Sequence, residues 1–122
     1  MKEKIIRLSL VAAILFVVIL LFAAIDYPIH TLGETWNVPD YYFKNKILFG
    51  FLWGIIGLLI AGRFKSIWLK AASVATIVSV TLQFRYFIEG YALDFVLLFL
   101  LIHFLILFFL SILMFLILNK YK

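Results

Sequence analysis

The sequence predicts an all-α integral membrane protein: one up-down bundle of four transmembrane helices with both termini cytoplasmic. Three observations predict it. Hydrophobic residues make up 67% of the chain and charged residues 14%, against roughly 45–50% and about 25% in soluble domains. A chain of 122 residues supplies a single domain, too small to bury that excess, so the lipid bilayer is the first expected partner. Four apolar stretches approach the roughly 20 residues that a spanning helix needs, and the basic residues alternate between their connections as inner and outer loops require.

The first stretch covers 5–25. Lys2, Lys4 and Arg7 precede or open it and Ala23 and Ala24 lie near its end, the outline of a secretory leader. Its apolar run exceeds the roughly 7–15 residues of a leader core, so it reads as a retained helix. Pro28 disfavours helix at Tyr27, which predicts a stop near Ile25. Asp26 then reads as the N-cap of a short interfacial helix with Pro28 in its first turn. The 26–40 connection is the long one, rich in turn formers and aromatics (Pro28, Gly33, Trp36, Asn37, Pro39).

The second helix is expected over 41–62, with Asp40 as its N-cap and Tyr41, Tyr42 and Phe43 at the interface. Gly50, Gly54, Gly57 and Ala61 fall on one narrow stripe. Small residues let helix backbones approach closely, so this stripe predicts tight packing within the bundle or in a homo-oligomer. A tight turn leads to the third helix, 67–88, whose Ala72, Thr76, Ser79, Gln83 and Tyr86 form a stripe that must face protein. A second tight turn surrounds Gly90. The fourth helix, 92–118, is nearly all Leu, Phe and Ile, with His103 and Ser111 as exceptions. A helix apolar around its whole circumference reads as facing lipid or other subunits.

Orientation follows from Lys and Arg. Lys2, Lys4, Arg7, Arg63, Lys65, Lys70, Lys120 and Lys122 fall on one side, and Lys44, Lys46 and Arg85 on the other. The richer side is cytoplasmic. Because the basic residues flank apolar segments, the net charge of +5 points to lipid headgroups and topology, and nucleic acid is not an expected partner.

The absence of cysteine excludes disulfides, thiol redox chemistry and thiolate nucleophiles. No phosphate-binding loop, HExxH, GxSxG or pair of histidines at heme-ligating spacing occurs. The candidates are therefore isolated polar residues. His103 lies about ten residues below the outer end of its helix, or about 15 Å. An ionisable residue at that depth is a functional-site candidate by default. It is expected to hydrogen-bond Ser79, Thr76 or Gln83, and to serve as a neutral pin between helices, as a proton, ion or ligand contact, or as a heme ligand needing a second axial partner. Asp26, His30 and Glu34 recur every four residues and would share one face of an unbroken helix, a row suited to a divalent cation; no other cofactor is expected. Arg85 and Glu89 are spaced for an ion pair, with Asp94 close by, or for recognition of an anionic headgroup or substrate.

These residues predict an outer polar cap over a polar-lined interior leading toward His103. The leading expectation is non-enzymatic: a ligand-binding protein or an accessory subunit of a larger membrane assembly, multi-pass in the cell membrane. The alternatives are an intramembrane enzyme acting on a lipid-like substrate through Asp26, His30, Glu34 and His103, and a proton- or ion-coupled carrier using His103.

Overall fold

A computed structural model describes residues 1–120; Lys122, counted above among the basic residues, lies outside the described residues. Four α-helices follow one another: α1 (Lys2–Ile29), α2 (Tyr41–Ala61), α3 (Ile67–Ile88) and α4 (Leu93–Lys120). Each is long and apolar enough to cross a membrane. Every helix packs on its neighbours in sequence and α4 closes back on α1, while diagonal pairs make no comparable contact. The result is a four-helix ring around one core. We call the end bearing the 30–40 segment and the turn at Gly90 the loop end, and the opposite end the terminal end.

The first helix does not stop at Ile25. It runs through Asp26 to Ile29 with Pro28 inside it. Proline costs a helix one hydrogen bond and crowds the carbonyl four residues back, a loss most easily borne in a last turn. Here the turn is closed beyond the proline: the His30 N–H donates to the Asp26 carbonyl at 3.3 Å and the Thr31 N–H to the Pro28 carbonyl at 3.0 Å. Asp26 is therefore an interior helical residue, not the cap of a separate helix.

Asp40 precedes α2, yet its side chain caps nothing. A capping side chain reaches the first free N–H groups from extended backbone, and Asp40 already has helical angles (φ −59°, ψ −31°). The carbonyls of Pro39 and Asp40 accept from Tyr42 and Phe43 instead. The end of α3 follows its glycine. Gly90 has φ +85°, its N–H donates to Phe87, and the Tyr91 N–H reaches back to Tyr86. Together these two bonds close the helix through a left-handed residue where glycine is least strained.

The small stripe of α2 lies inside the bundle. Gly50, Gly54, Gly57 and Ala61 are all buried. A Cβ on Gly57 would sit 3.0 Å from the Val74 Cα of α3, and one on Gly54 would sit 3.1 Å from Leu15 of α1. The glycines thus set the approach of α2 to its neighbours within the chain. The fourth helix is also more divided than its composition implied. Phe95, Phe99, His103, Leu107, Ser111 and Leu118 are buried along one face, whereas Leu97, Leu101, Leu105, Phe109 and Leu113 are exposed on another. Composition alone hid this division because both faces are apolar.

Candidate functional site: a buried Asp–Lys–His cluster

Each helix turns one stripe inward, and the stripes change chemistry along their length. Toward the terminal end they carry Leu15, Ile19, Val74, Val78, Leu107 and Met114. At the loop end an aromatic group, Tyr42, Tyr86, Phe95 and Phe99, takes over. Where the two meet, the inward positions are Asp26 of α1, His30 just beyond it, Lys46 of α2 and His103 of α4. All four are buried, with Asp26 and His103 fully inaccessible.

Asp26 is the hub. Its Oδ1 lies 3.0 Å from His103 Nε2 and its Oδ2 lies 3.1 Å from His30 Nε2. The Lys46 ammonium donates to the same Oδ2 and stands 3.1 Å from His30 Nε2. The partners constrain the proton positions. His30 Nδ1 lies 2.7 Å from the Trp36 carbonyl, which only accepts, so Nδ1 carries the hydrogen. Nε2 faces both the Asp26 carboxylate and the Lys46 ammonium, so it donates to the first when it carries a hydrogen and accepts from the second when it does not. His103 donates from Nε2 to the carboxylate, which leaves a lone pair on Nδ1. That atom is buried and has no hydrogen-bond partner.

Aromatic rings fix these groups in place. His30 stacks on Phe99 with centroids 4.1 Å apart and planes 7° from parallel. His103 meets the edge of Phe22 at 5.1 Å. The Trp36 ring abuts Phe99 at 5.5 Å, and its close packing on Gly33 needs a residue without a side chain: a Cβ there would lie 2.7 Å from the indole. Gly33 thereby helps to position the carbonyl that orients His30. At the rim, Tyr91 stacks on Phe95; burial, and then the nearby Glu89 carboxylate, push its phenol above the ordinary tyrosine range.

The carboxylate and one nitrogen of each imidazole lie within 4.8 Å of one another, a donor set that by itself would suit a divalent ion. The Lys46 ammonium already touches both Asp26 and His30. A dication in the same space would face that ammonium in a medium of low dielectric, where like charges repel strongly.

The other sequence candidates lie elsewhere. Glu34 is exposed and does not join Asp26 and His30, because the helix that would have aligned them ends at Ile29. His103 does not bond the polar stripe of α3. Ser79 donates to its own helix at Ala75, 2.6 Å, and Gln83 donates to the Val96 carbonyl of α4, 2.8 Å. Arg85 pairs with Glu89 at 3.2 Å, with both side chains partly exposed, and its guanidinium lies over the Tyr42 ring at 4.9 Å. Asp94 accepts from the N–H of Phe95.

Lys46 is the residue that the sequence reading missed, having been counted only as an outer basic residue. The signal was present: Lys46 lies four residues before Gly50, on the stripe that continues through Gly54 and Gly57. It also lines a groove of about 270 Å³ between α2 and α3, with Tyr42, Asn45, Phe49, Trp53, Leu82, Arg85 and Tyr86 among its walls. Tyr86 is buried and its hydroxyl has no partner. No protein-family model, curated protein or solved structure matches this chain.

Proposed function

We propose that the chain is an integral membrane protein, with its termini and the 62–66 turn on the cytoplasmic side, that binds an amphipathic ligand in the groove between α2 and α3. The four apolar helices and the distribution of basic residues support the insertion and its direction. The observation that carries the ligand reading is the shared position of Lys46. It is a wall of the groove and a member of the buried cluster at once, so an occupant there lies against a residue of that cluster.

The groove suits an amphiphile. From Tyr42 to Trp53 it follows about 16 Å of α2 at 1.5 Å per residue. Polar groups (Arg85, Asn45, Lys46) line its loop-end part, while Phe49, Trp53 and Leu82 offer apolar surface. The intramembrane-enzyme reading draws on Asp26, His30 and His103, which have Lys46 seated among them. The ligand-binding reading uses that arrangement as it stands.

The test is saturable binding of spin-labelled single-chain amphiphiles to the purified chain in lipid nanodiscs. A motionally restricted component saturating near one per chain is expected, and Thr81→Trp, which fills the groove wall, is expected to abolish it. The reading is overturned if no amphiphile shows a restricted component, or if Thr81→Trp binds as the parent does.

A further inference from the structure

We propose that a cavity at the loop end, between the 30–40 segment and the start of α4, is a binding site for a trimethylammonium group. The cavity holds about 450 Å³ and is walled by Thr35, Trp36, Tyr91, Asp94, Phe95 and Leu98. It shares no wall with the groove between α2 and α3, so this inference goes beyond the reading above and stands apart from it.

The local sequence explains the walls. Tyr91 follows Gly90, whose left-handed backbone ends α3. Its ring then stacks on Phe95 in the first turn of α4, with centroids 5.2 Å apart and planes 22° from parallel. Trp36 supplies another aromatic wall, held against Phe99 and Gly33. Trp36 and Tyr91 are both half-buried. Asp94 is exposed at the start of α4, and its Oδ1 accepts from the Phe95 N–H at 2.9 Å, which holds the carboxylate beside that residue.

The molecule itself shows what such a set of groups attracts. Tyr91 is also a wall of a neighbouring cavity, together with Tyr41, Tyr42 and Glu89. There a cation of the chain joins the rings to the carboxylate. The Arg85 guanidinium lies 4.9 Å from the Tyr42 ring centre and 5.9 Å from that of Tyr41, and it pairs with Glu89 at 3.2 Å. Trp36, Tyr91, Phe95 and Asp94 repeat this chemistry without a cation of their own. No Lys or Arg lines their cavity. Among the described residues, none lies over their rings or pairs with Asp94. Burial aside, the Glu89 carboxylate acts on the Tyr91 phenol more strongly than Arg85 does, so the field at the ring shared by the two cavities favours positive charge.

The balance of rings and oxygens selects the kind of cation. An aromatic face attracts a cation through the ring quadrupole, and more strongly as water leaves. A quaternary ammonium has no N–H groups, so it leaves water without forfeiting hydrogen bonds. It suits walls rich in rings and poor in acceptors. A hard metal ion requires a shell of oxygen ligands, which Asp94 and Thr35 do not supply. Leu98 lies one turn farther along α4 than Asp94 and leads toward the exposed Leu97 and Leu101, the direction open to an attached acyl tail. Choline lipids and free choline carry the same head, and the experiment separates them.

The full chain is studied in maltoside micelles, which contribute neither charge nor ammonium. Broadening of the choline methyl proton resonance reports binding to the parent chain. Emission from Trp36 reports its place once Trp53→Phe and Trp68→Phe have removed the other two tryptophans. Choline is expected to produce both signals, saturably, in the millimolar range. Its uncharged analogue, in which a tert-butyl group replaces the trimethylammonium, is expected to produce neither at matched concentration. Asp94→Asn keeps an acceptor for the Phe95 N–H but removes the charge, and is expected to weaken choline binding by up to about fivefold, the scale of an exposed ion pair. Phosphatidylcholine and phosphatidylglycerol are then titrated against bound choline. Displacement by phosphatidylcholine alone upholds the site as one for a lipid head, and displacement by neither upholds it as one for a soluble cation.

Absence of both signals overturns the site. Equal responses to choline and its uncharged analogue overturn the cation and leave only an apolar pocket. Unchanged affinity in Asp94→Asn overturns the part given to the carboxylate. The two probes on the parent chain decide the matter even if Asp94→Asn does not fold, and none of these outcomes bears on the spin-label test of the α2–α3 groove.

Discussion

The two halves of this bundle are held together by different physics. Toward the terminal end, Leu15, Ile19, Val74, Val78, Leu107 and Met114 fill the interior with apolar contacts, each modest and separable from the rest. Toward the loop end, Asp26, His30, Lys46 and His103 form one connected network under a lid of aromatic rings. Losing one contact in the first region leaves a gap. Losing one group in the second leaves its partners buried without a counterpart. The apolar half is therefore tolerant and additive, and the polar half is cooperative.

The largest expected effect tests that cooperativity. Asp26→Ala strips the acceptor from Lys46 and His103 together, and should cost about 3–5 kcal/mol, the penalty for breaking a buried pair by removing one partner. Replacing both charges, as Asp26→Leu with Lys46→Met, should recover most of that loss, because an apolar pair of similar volume leaves nothing unpaired. Thermal unfolding of the purified variants measures both. A single mutant as stable as the parent, or a double mutant whose loss is the sum of the singles, would show that the four residues do not act as a network.

A smaller effect is expected in the apolar half. Leu107→Ala opens a cavity beneath His103 and should cost about 2 kcal/mol, the low end for such truncations. Part of the usual penalty is absent where the alternative surroundings are lipid chains rather than water. Combined with Ile19→Val, the losses should add. Strong coupling between those two positions would blur the contrast between the halves.

The smallest effect lies at the surface. Arg85 and Glu89 form an ion pair at 3.2 Å, with both side chains partly exposed. Glu89→Gln should change stability by no more than about 1 kcal/mol. A larger loss in the same unfolding experiment would mean that Arg85 belongs to the buried network rather than to its rim.

Much of the architecture can be read directly from the residues. Length and apolarity mark out four helices, and Gly90 marks its turn because a left-handed residue there favours glycine. The inward stripe of α2 is legible from the spacing of Gly50, Gly54 and Gly57; on α3 Ser79, Gln83 and Tyr86 turn inward as expected, but Thr76 is exposed and Ala72 only half-buried, because that helix turns Ala71, Val74, Ala75 and Val78 to the core instead. The site was only half legible. His103 stands out as the one imidazole deep in an apolar helix, and the spacing of Asp26 and His30 suggested a shared face. Their partners did not follow. Pro28 pointed to an earlier end of α1, and a proline's effect depends on whether the turn beyond it finds other bonds.

The sequence by itself determined that four apolar helices follow one another and that the small residues of α2 lie on one stripe, since both follow from local composition and periodicity. Only the tertiary structure decided that Asp26 meets His103, 77 residues away, and that Lys46 turns into the bundle to join them. Periodicity gives a direction around one helix axis. It says nothing of which neighbour stands in that direction, or of how far α1 slides along α4. Those follow from packing all four helices at once, where glycine contacts set the approach of α2 and a buried carboxylate requires donors from more than one helix.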